Sequence, residues 1–142
     1  MRTLFDIDTL VALFDLEHIN HDRVHGWWEA NRTGGWASCP TTQIGFVRVL
    51  SAADYAKAMP VQAPLGLLRS ATAQRDHAFW GDDISLLDPQ RLDLARVLVP
   101  KQLTGAYLLA LATRNGLRLA TFDRSLPLAA AGSAEPRNLV VL

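Results

Sequence analysis

The sequence predicts an α/β fold, and three observations predict it. Short apolar segments that read as strands alternate with segments of helical periodicity. Two of those strands end on an aspartate, Asp6 and Asp123. One helix late in the chain, around Ala106–Ala112, is apolar on nearly every side. Alternation of this kind puts parallel strands in a sheet with helices on its faces. A helix apolar all round belongs in the interior. Ligands of such sheets gather beyond the carboxyl ends of the strands.

The elements follow in order. Residues 3–7 form a first strand crowded with Leu4, Phe5 and Ile7. Asp8 or Thr9 can cap the next helix, which carries Leu10, Val11, Leu13 and Phe14. Polar residues 15–20 make a turn. A second helix runs from about Asp22 to Asn31, with Val24, Trp27 and Trp28 on its apolar side and Gly34-Gly35 beyond its end. Trp36–Cys39 is a strand. Pro40 opens a third helix, where proline suits the first turn. Residues 60–64 break the chain, 65–74 form a fourth helix, and a strand lies within 79–87. A helix fits 92–98 and another 104–115, the latter ended by Asn115-Gly116. Strands at 117–122 and 139–142 complete the set. No repeat, low-complexity segment or second domain interrupts it, so a single domain over 1–142 is expected.

Composition limits the function. Hydrophobic residues make up 49% of the 142, which is core material rather than disorder. Fourteen basic and fourteen acidic residues cancel. The chain therefore lacks the global positive field of a strongly basic nucleic-acid binder, and RNA binding needs a local basic rim or metal cations. No apolar run reaches the roughly 20 residues that span a bilayer, and Asp6 interrupts any signal-peptide core. Cys39 is the lone cysteine and has no partner for an internal disulfide. A reduced, cytoplasmic protein with no membrane association is expected.

The chemistry lies with the acids. Asp6 and Asp8 bracket the end of the first strand, and Asp123 follows another in Ala120-Thr121-Phe122-Asp123-Arg124. A carboxylate at a strand end loses water unless something neutralises it. A divalent cation does so. Mg²⁺ takes one or two carboxylates, with waters and phosphate oxygens completing its shell, and such a centre activates water against a phosphodiester. Helix capping and ion pairing are the structural alternatives, and capping accounts for Asp8 readily.

The ordered fragments resemble one known family. Leu4-Phe5-Asp6-Ile7-Asp8-Thr9-Leu10-Val11 resembles the opening of VapC-type PIN-domain toxins. Ala37–Val49, His77–Trp80 with Asp82-Asp83, Gln102–Ala112 and Leu119–Arg124 resemble their later motifs, in order and spanning almost the whole chain. The resemblance implies a PIN-like three-layer sandwich, a short parallel sheet flanked by helices. It implies a toxin of a toxin–antitoxin system: a Mg²⁺- or Mn²⁺-dependent endoribonuclease held by a cognate antitoxin, commonly as a homodimer. Asp6 and Asp123 match metal-binding aspartates, Asp8 the polar position after the first, and Thr121 and Thr9 supporting hydroxyls. Two positions depart from the pattern. Gln43 stands where the family usually has glutamate, and Gly105 where it usually has aspartate. Gln43 keeps the shape of glutamate without its charge; Gly105 keeps nothing. An impaired nuclease is therefore expected, either through inactivating substitutions or through divergence to a non-catalytic scaffold that binds an antitoxin, a second copy or RNA.

Other features carry weaker readings. His21, His25 and Glu29 have metal-compatible spacing but read as a polar helix face. Cys39, ahead of Pro40, reads as a core thiol. Trp27 and Trp28 could stack bases, but adjacent helix positions diverge and fit a core and a surface better. Arg124, next to Asp123, is the candidate phosphate contact. Arg48, Lys101, Arg114 and Arg118 read as solvated surface.

Overall fold

The computed structural model describes residues 1–142. Five parallel strands form one sheet: β1 (Thr3–Phe5), β2 (Trp36–Ser38), β3 (His77–Phe79), β4 (Arg118–Thr121) and β5 (Leu139–Val141), in the order β3-β2-β1-β4-β5. Five helices flank it: α1 (Ile7–Phe14), α2 (His21–Asn31), α3 (Pro40–Ser51), α4 (Gln62–Thr72) and α5 (Gln102–Arg114). The strands are only three or four residues long, and their alternation divides the core. Leu4, Ala37 and Leu119 pack with the buried side of α5. Their neighbours Phe5, Trp36 and Ala120 pack on the other face against α1–α4. With both faces covered, the fold is the expected PIN-like three-layer α/β sandwich.

The strand order locates the site. From β1 the chain steps outward through β2 and β3, then returns to the opposite side of β1 for β4 and β5. The reversal falls between β1 and β4, where a crevice opens beyond the strand ends. Asp6 follows β1 directly, and Asp123 lies two residues past β4.

Several boundaries differ from the sequence reading. Neither Asp8 nor Thr9 caps α1. Asp6 does, with extended backbone (φ −60°, ψ 157°) and its carboxylate accepting the Ile7 N–H. Asp8 is exposed in the first turn, and Thr9 is buried with its hydroxyl unpaired. Helix α4 starts at Gln62 rather than 65, because Pro64 sits in the first turn, where its missing N–H costs little. Strand β3 ends at Phe79, where the predicted strand began: its register is fixed by β2, with Ser38 opposite Phe79. The helix expected over 92–98 is a single 3₁₀ turn, Leu94–Arg96, capped by Asp93. Leu92 bridges to Ala131 instead of entering a helix.

Helix α5 is as buried as its composition predicts, and Gly116 (φ 66°) ends it in the left-handed conformation that glycine tolerates. It starts earlier than expected, at Gln102, a buried polar residue with four partners. Its Oε1 accepts from the Leu98 and Val99 N–H groups (3.0 and 3.4 Å), and its Nε2 donates to the Ser125 carbonyl and hydroxyl (3.0 and 2.9 Å). The start of α5 is thereby tied to the segment just after Asp123. Gln102→Leu leaves those groups unpaired and is expected to lower unfolding stability in urea by about 2–3 kcal/mol. A loss within about 0.5 kcal/mol, ordinary for a surface change, contradicts this role.

Candidate active site

Asp6 is held from three directions. Its backbone N–H donates to the Ala120 carbonyl (2.9 Å), continuing the β1–β4 ladder past the strand end. Its Oδ1 accepts the Ile7 N–H (2.8 Å), and its Oδ2 accepts the Thr121 hydroxyl (2.9 Å). Thr121 is fully buried, and its Oγ1 also accepts the Asp123 N–H (3.1 Å). One hydroxyl therefore links both acids. Burial pushes the Asp6 carboxyl above its ordinary range, against the hydrogen bonds from Thr121 and Ile7; the charges of Asp8 and Asp123 push the same way.

Asp123 is perturbed in the opposite sense. Its Oδ1 accepts the hydroxyl and the N–H of Ser125 (2.6 and 2.9 Å). The Ser125 hydroxyl first, and the Lys101 charge among the weaker causes, hold its carboxyl below the usual range. The site thus pairs one carboxyl that resists ionisation with one that is readily ionised.

Both line a cavity of about 710 Å³ beyond the ends of β1 and β4. Asp8, Gly105, Thr121, Lys101 and Arg124 line it as well, so six of the sequence-predicted positions meet there, and Lys101 joins them although it read as surface. A β-carbon built on Gly105 lies 3.8 Å from the Asp6 Oδ2 and 3.4 Å from the Leu126 methyls. These are ordinary contacts. A side chain at 105 would project beside Asp6, and glycine leaves that place without a donor. The residues present fit a divalent cation only in part. Asp6 and Asp123 offer two carboxylates, and no three His, Cys, Asp or Glu side chains assemble as a metal-holding group. That is a short protein ligand set even for Mg²⁺, which accepts few.

Gln43 does not join the cavity. Its Nε2 donates to the Ser38 hydroxyl (2.9 Å), and Ser38 Oγ lies 2.8 Å from His77 Nε2. It borders instead a groove between α3 and α4 formed with Ile44, Val47, Leu65 and Leu68. Ser38 has one proton. Accepting from Gln43, it keeps that proton to offer an unprotonated His77 Nε2. Such a chain of donors favours the neutral imidazole, in the same direction as the burial that lowers its pKa. Sequence reasoning missed Ser38 and His77 as Gln43's partners; the register of β2 with β3 creates the contact.

The remaining candidates serve structure. Trp28 is buried, Trp27 is half-buried, and both meet Phe5 edge-on at 5.5 and 6.2 Å. Neither is available to stack a base. His21 Nδ1 lies 2.8 Å from the Ala12 carbonyl, and His25 lies 3.8 Å from Glu29. Cys39 is fully buried, and burial pushes its thiol up to about 11, which suits a core residue. Arg114 pairs with Asp83 at 2.9 Å. Arg118 lies over the Trp27 ring at 4.7 Å and donates to Thr3 Oγ1. Arg48 is exposed on α3.

The donor chain makes a measurable prediction. Burial lowers the His77 pKa from its ordinary value of 6.5. The unfolded chain then takes up the proton first, so this group withdraws stability as pH falls below about 6.5. A glutamate at 43 cannot donate to Ser38. The Ser38 proton would turn to the carboxylate, leaving lone pairs toward His77 Nε2, and the added negative charge nearby favours the imidazolium. In NMR titrations the His77 pKa of Gln43→Glu is expected to exceed that of the wild type by about 1; unchanged titration contradicts the donor chain.

Comparison with known proteins agrees with this geometry. No family model matches the chain. It is 43% identical over 142 residues to Ribonuclease VapC44 of Mycobacterium tuberculosis (strain CDC 1551 / Oshkosh), covering all of both chains. It is 41% identical over 124 residues to Ribonuclease VapC38 of Mycobacterium tuberculosis (strain ATCC 25618 / H37Rv), covering 84% of each. It is 34% identical over 127 residues to Ribonuclease VapC39 of the CDC 1551 strain, covering 89% of this chain and 91% of the relative. Likeness along the full length, together with acids gathered where the parallel sheet reverses, means that the chain belongs to the VapC-type family of ribonuclease toxins.

Proposed function

We propose that this protein is a toxin-type endoribonuclease of the cytoplasm whose metal-dependent hydrolysis of RNA phosphodiester bonds is weakened in this chain. A cognate antitoxin is its protein partner, and a homodimer its assembly. The observation that carries the reading is the place of Gly105: in the cavity shared by Asp6 and Asp123, where a β-carbon would sit in ordinary contact 3.8 Å from the Asp6 carboxylate. Mg²⁺ or Mn²⁺, when bound, supplies Lewis-acid activation of water and charge neutralisation of the phosphodiester. The residues present do less. Asp6 and Asp123 offer two carboxylates fixed by Thr121, and Lys101 and Arg124 stand at the same cavity to meet phosphate. Asp8, exposed in the first turn of α1, adds negative charge, and Thr9 supports α1 from within the core.

A second reading, a non-catalytic binding module, draws on the groove between α3 and α4. It is about 480 Å³, lined half by apolar side chains, with Ile44 59% exposed in it and Arg48 and Arg69 along it. Such a surface suits a protein segment.

Restoring the missing acid separates the two. Calorimetric titration with Mn²⁺ is expected to show at least about tenfold tighter binding to Gly105→Asp than to the wild type, a difference of about 1.4 kcal/mol. RNA cleavage with Mn²⁺ should rise alongside it, in Gly105→Asp or in its combination with Gln43→Glu. If both variants bind Mn²⁺ no better than the wild type and leave RNA intact, the impaired-nuclease reading is wrong and the binding module stands.

A further inference from the structure

The chain has no net charge, so any grip on a polyanion must be local. The ion pairs of the structure take up Arg32, Lys57, Arg96, Arg114 and Arg137, all away from the acidic cavity. Around the cavity, Lys101 and Arg124 are exposed and form no ion pair. A third free cation lies beside them. Arg23, exposed in the first turn of α2, holds its guanidinium carbon 5.7 Å from the centre of the Phe122 ring, and Phe122 itself lines the cavity. Arg23 makes no hydrogen bond to protein, and its exposed side chain places the guanidinium over the Phe122 ring.

The two flanks come from opposite layers of the sandwich. Lys101 leads into α5, on one face of the sheet, whereas Arg23 and Phe122 belong with the helices packed on the other face. A ligand that reaches from the cavity past Phe122 meets Lys101 and Arg124 at the cavity, its acids between, and Arg23 over the Phe122 ring. Guanidinium planes and aromatic rings stack unpaired bases, whereas bases inside a duplex are stacked on each other and offer no free face. We propose that Arg23, backed by Phe122, is a base-stacking platform that holds a nucleotide of single-stranded RNA next to the acidic cavity, with Lys101 and Arg124 on the flanking phosphates. This assignment rests on the RNA reading above and adds to it the form of the substrate and the residues that grip it.

The test is fluorescence anisotropy of a fluorescein-labelled single-stranded RNA oligonucleotide in EDTA, where binding is read without cleavage, against the same oligonucleotide annealed to its complement. The wild type is expected to favour the single strand. Arg23→Gln and Arg23→Lys should each weaken single-strand binding about tenfold, because lysine keeps the charge and loses the plane. Phe122→Leu should weaken it as well, and Lys101→Gln should flatten the salt dependence. Arg137→Gln, which removes a surface charge paired with Glu135, should bind as the wild type does. Arg23 is exposed, so its variants remain informative even if Phe122→Leu fails to fold. Wild-type binding that both Arg23 variants retain overturns the platform and leaves the RNA reading standing. Full rescue by Arg23→Lys overturns stacking in favour of charge, and a preference for the duplex overturns the single-strand assignment. No binding of either RNA by the wild type overturns the RNA reading itself.

Discussion

The site depends on one half-buried carboxylate. Asp6 stands where the central strand of the sheet ends and the first helix begins, and it serves both elements. Its main chain extends the pairing of β1 with β4, and its side chain closes the first turn of α1. Its remaining oxygen meets the Thr121 hydroxyl, which in turn fixes the backbone of Asp123. These bonds set the geometry of the crevice, but they do not offset the loss of water around the charge. The carboxyl is accordingly held above its ordinary range, next to two further acids that make ionisation harder. A carboxyl so held gains from any positive charge brought beside it, and Gly105 at the same cavity brings no side chain to that place.

Rigidity around this point comes from α5 and its anchor. The helix is buried along almost its whole length, and Gln102 ties its start to the segment after Asp123 through four hydrogen bonds. Position 105 is thus presented to Asp6 on a fixed support, in a cavity that already has its shape. Glycine at 105 brings no side chain to that support, and the helix forms around it regardless. Gln43 tells a different story. It is engaged with Ser38 and His77 and borders another groove, so its departure from the family pattern has become part of the packing between β2, β3 and the helices above them.

Much of the fold was legible because it is written in periodicity. Alternating strands and helices, the apolar run of α5 and the Asn115-Gly116 stop all appear as expected. The errors fall where long-range pairing decides. Nothing local to 77–80 announces that β3 ends at Phe79; the register with β2 decides it. Residues 92–98 have apolar spacing suited to a helix, yet Leu92 and Leu94 are drawn into the core beneath the 3₁₀ turn of Leu128–Ala130. The cap of α1 was misplaced because three polar residues stand close together in the sequence, and only the end of the β1–β4 ladder selects Asp6. In the site, the strand-end acids and the aberrant glycine were visible from the resemblance and come together in one cavity. The hydroxyl chain through Ser38, the anchoring by Gln102 and the meeting of Arg23 with Phe122 join residues far apart in sequence, and no local pattern encodes them.

Asp6 is a desolvated acid in the metal-free protein, and the pKa of its carboxyl, read from the side-chain carbon chemical shift in an NMR titration, reports this directly. The account predicts a midpoint above the ordinary value of 3.8. The folded chain then holds the proton longer than the unfolded chain, so this group withdraws stability as pH rises from 3.8 through the folded midpoint. A midpoint at or below 3.8 would mean that Thr121 and Ile7 satisfy the charge on their own, and would contradict the account.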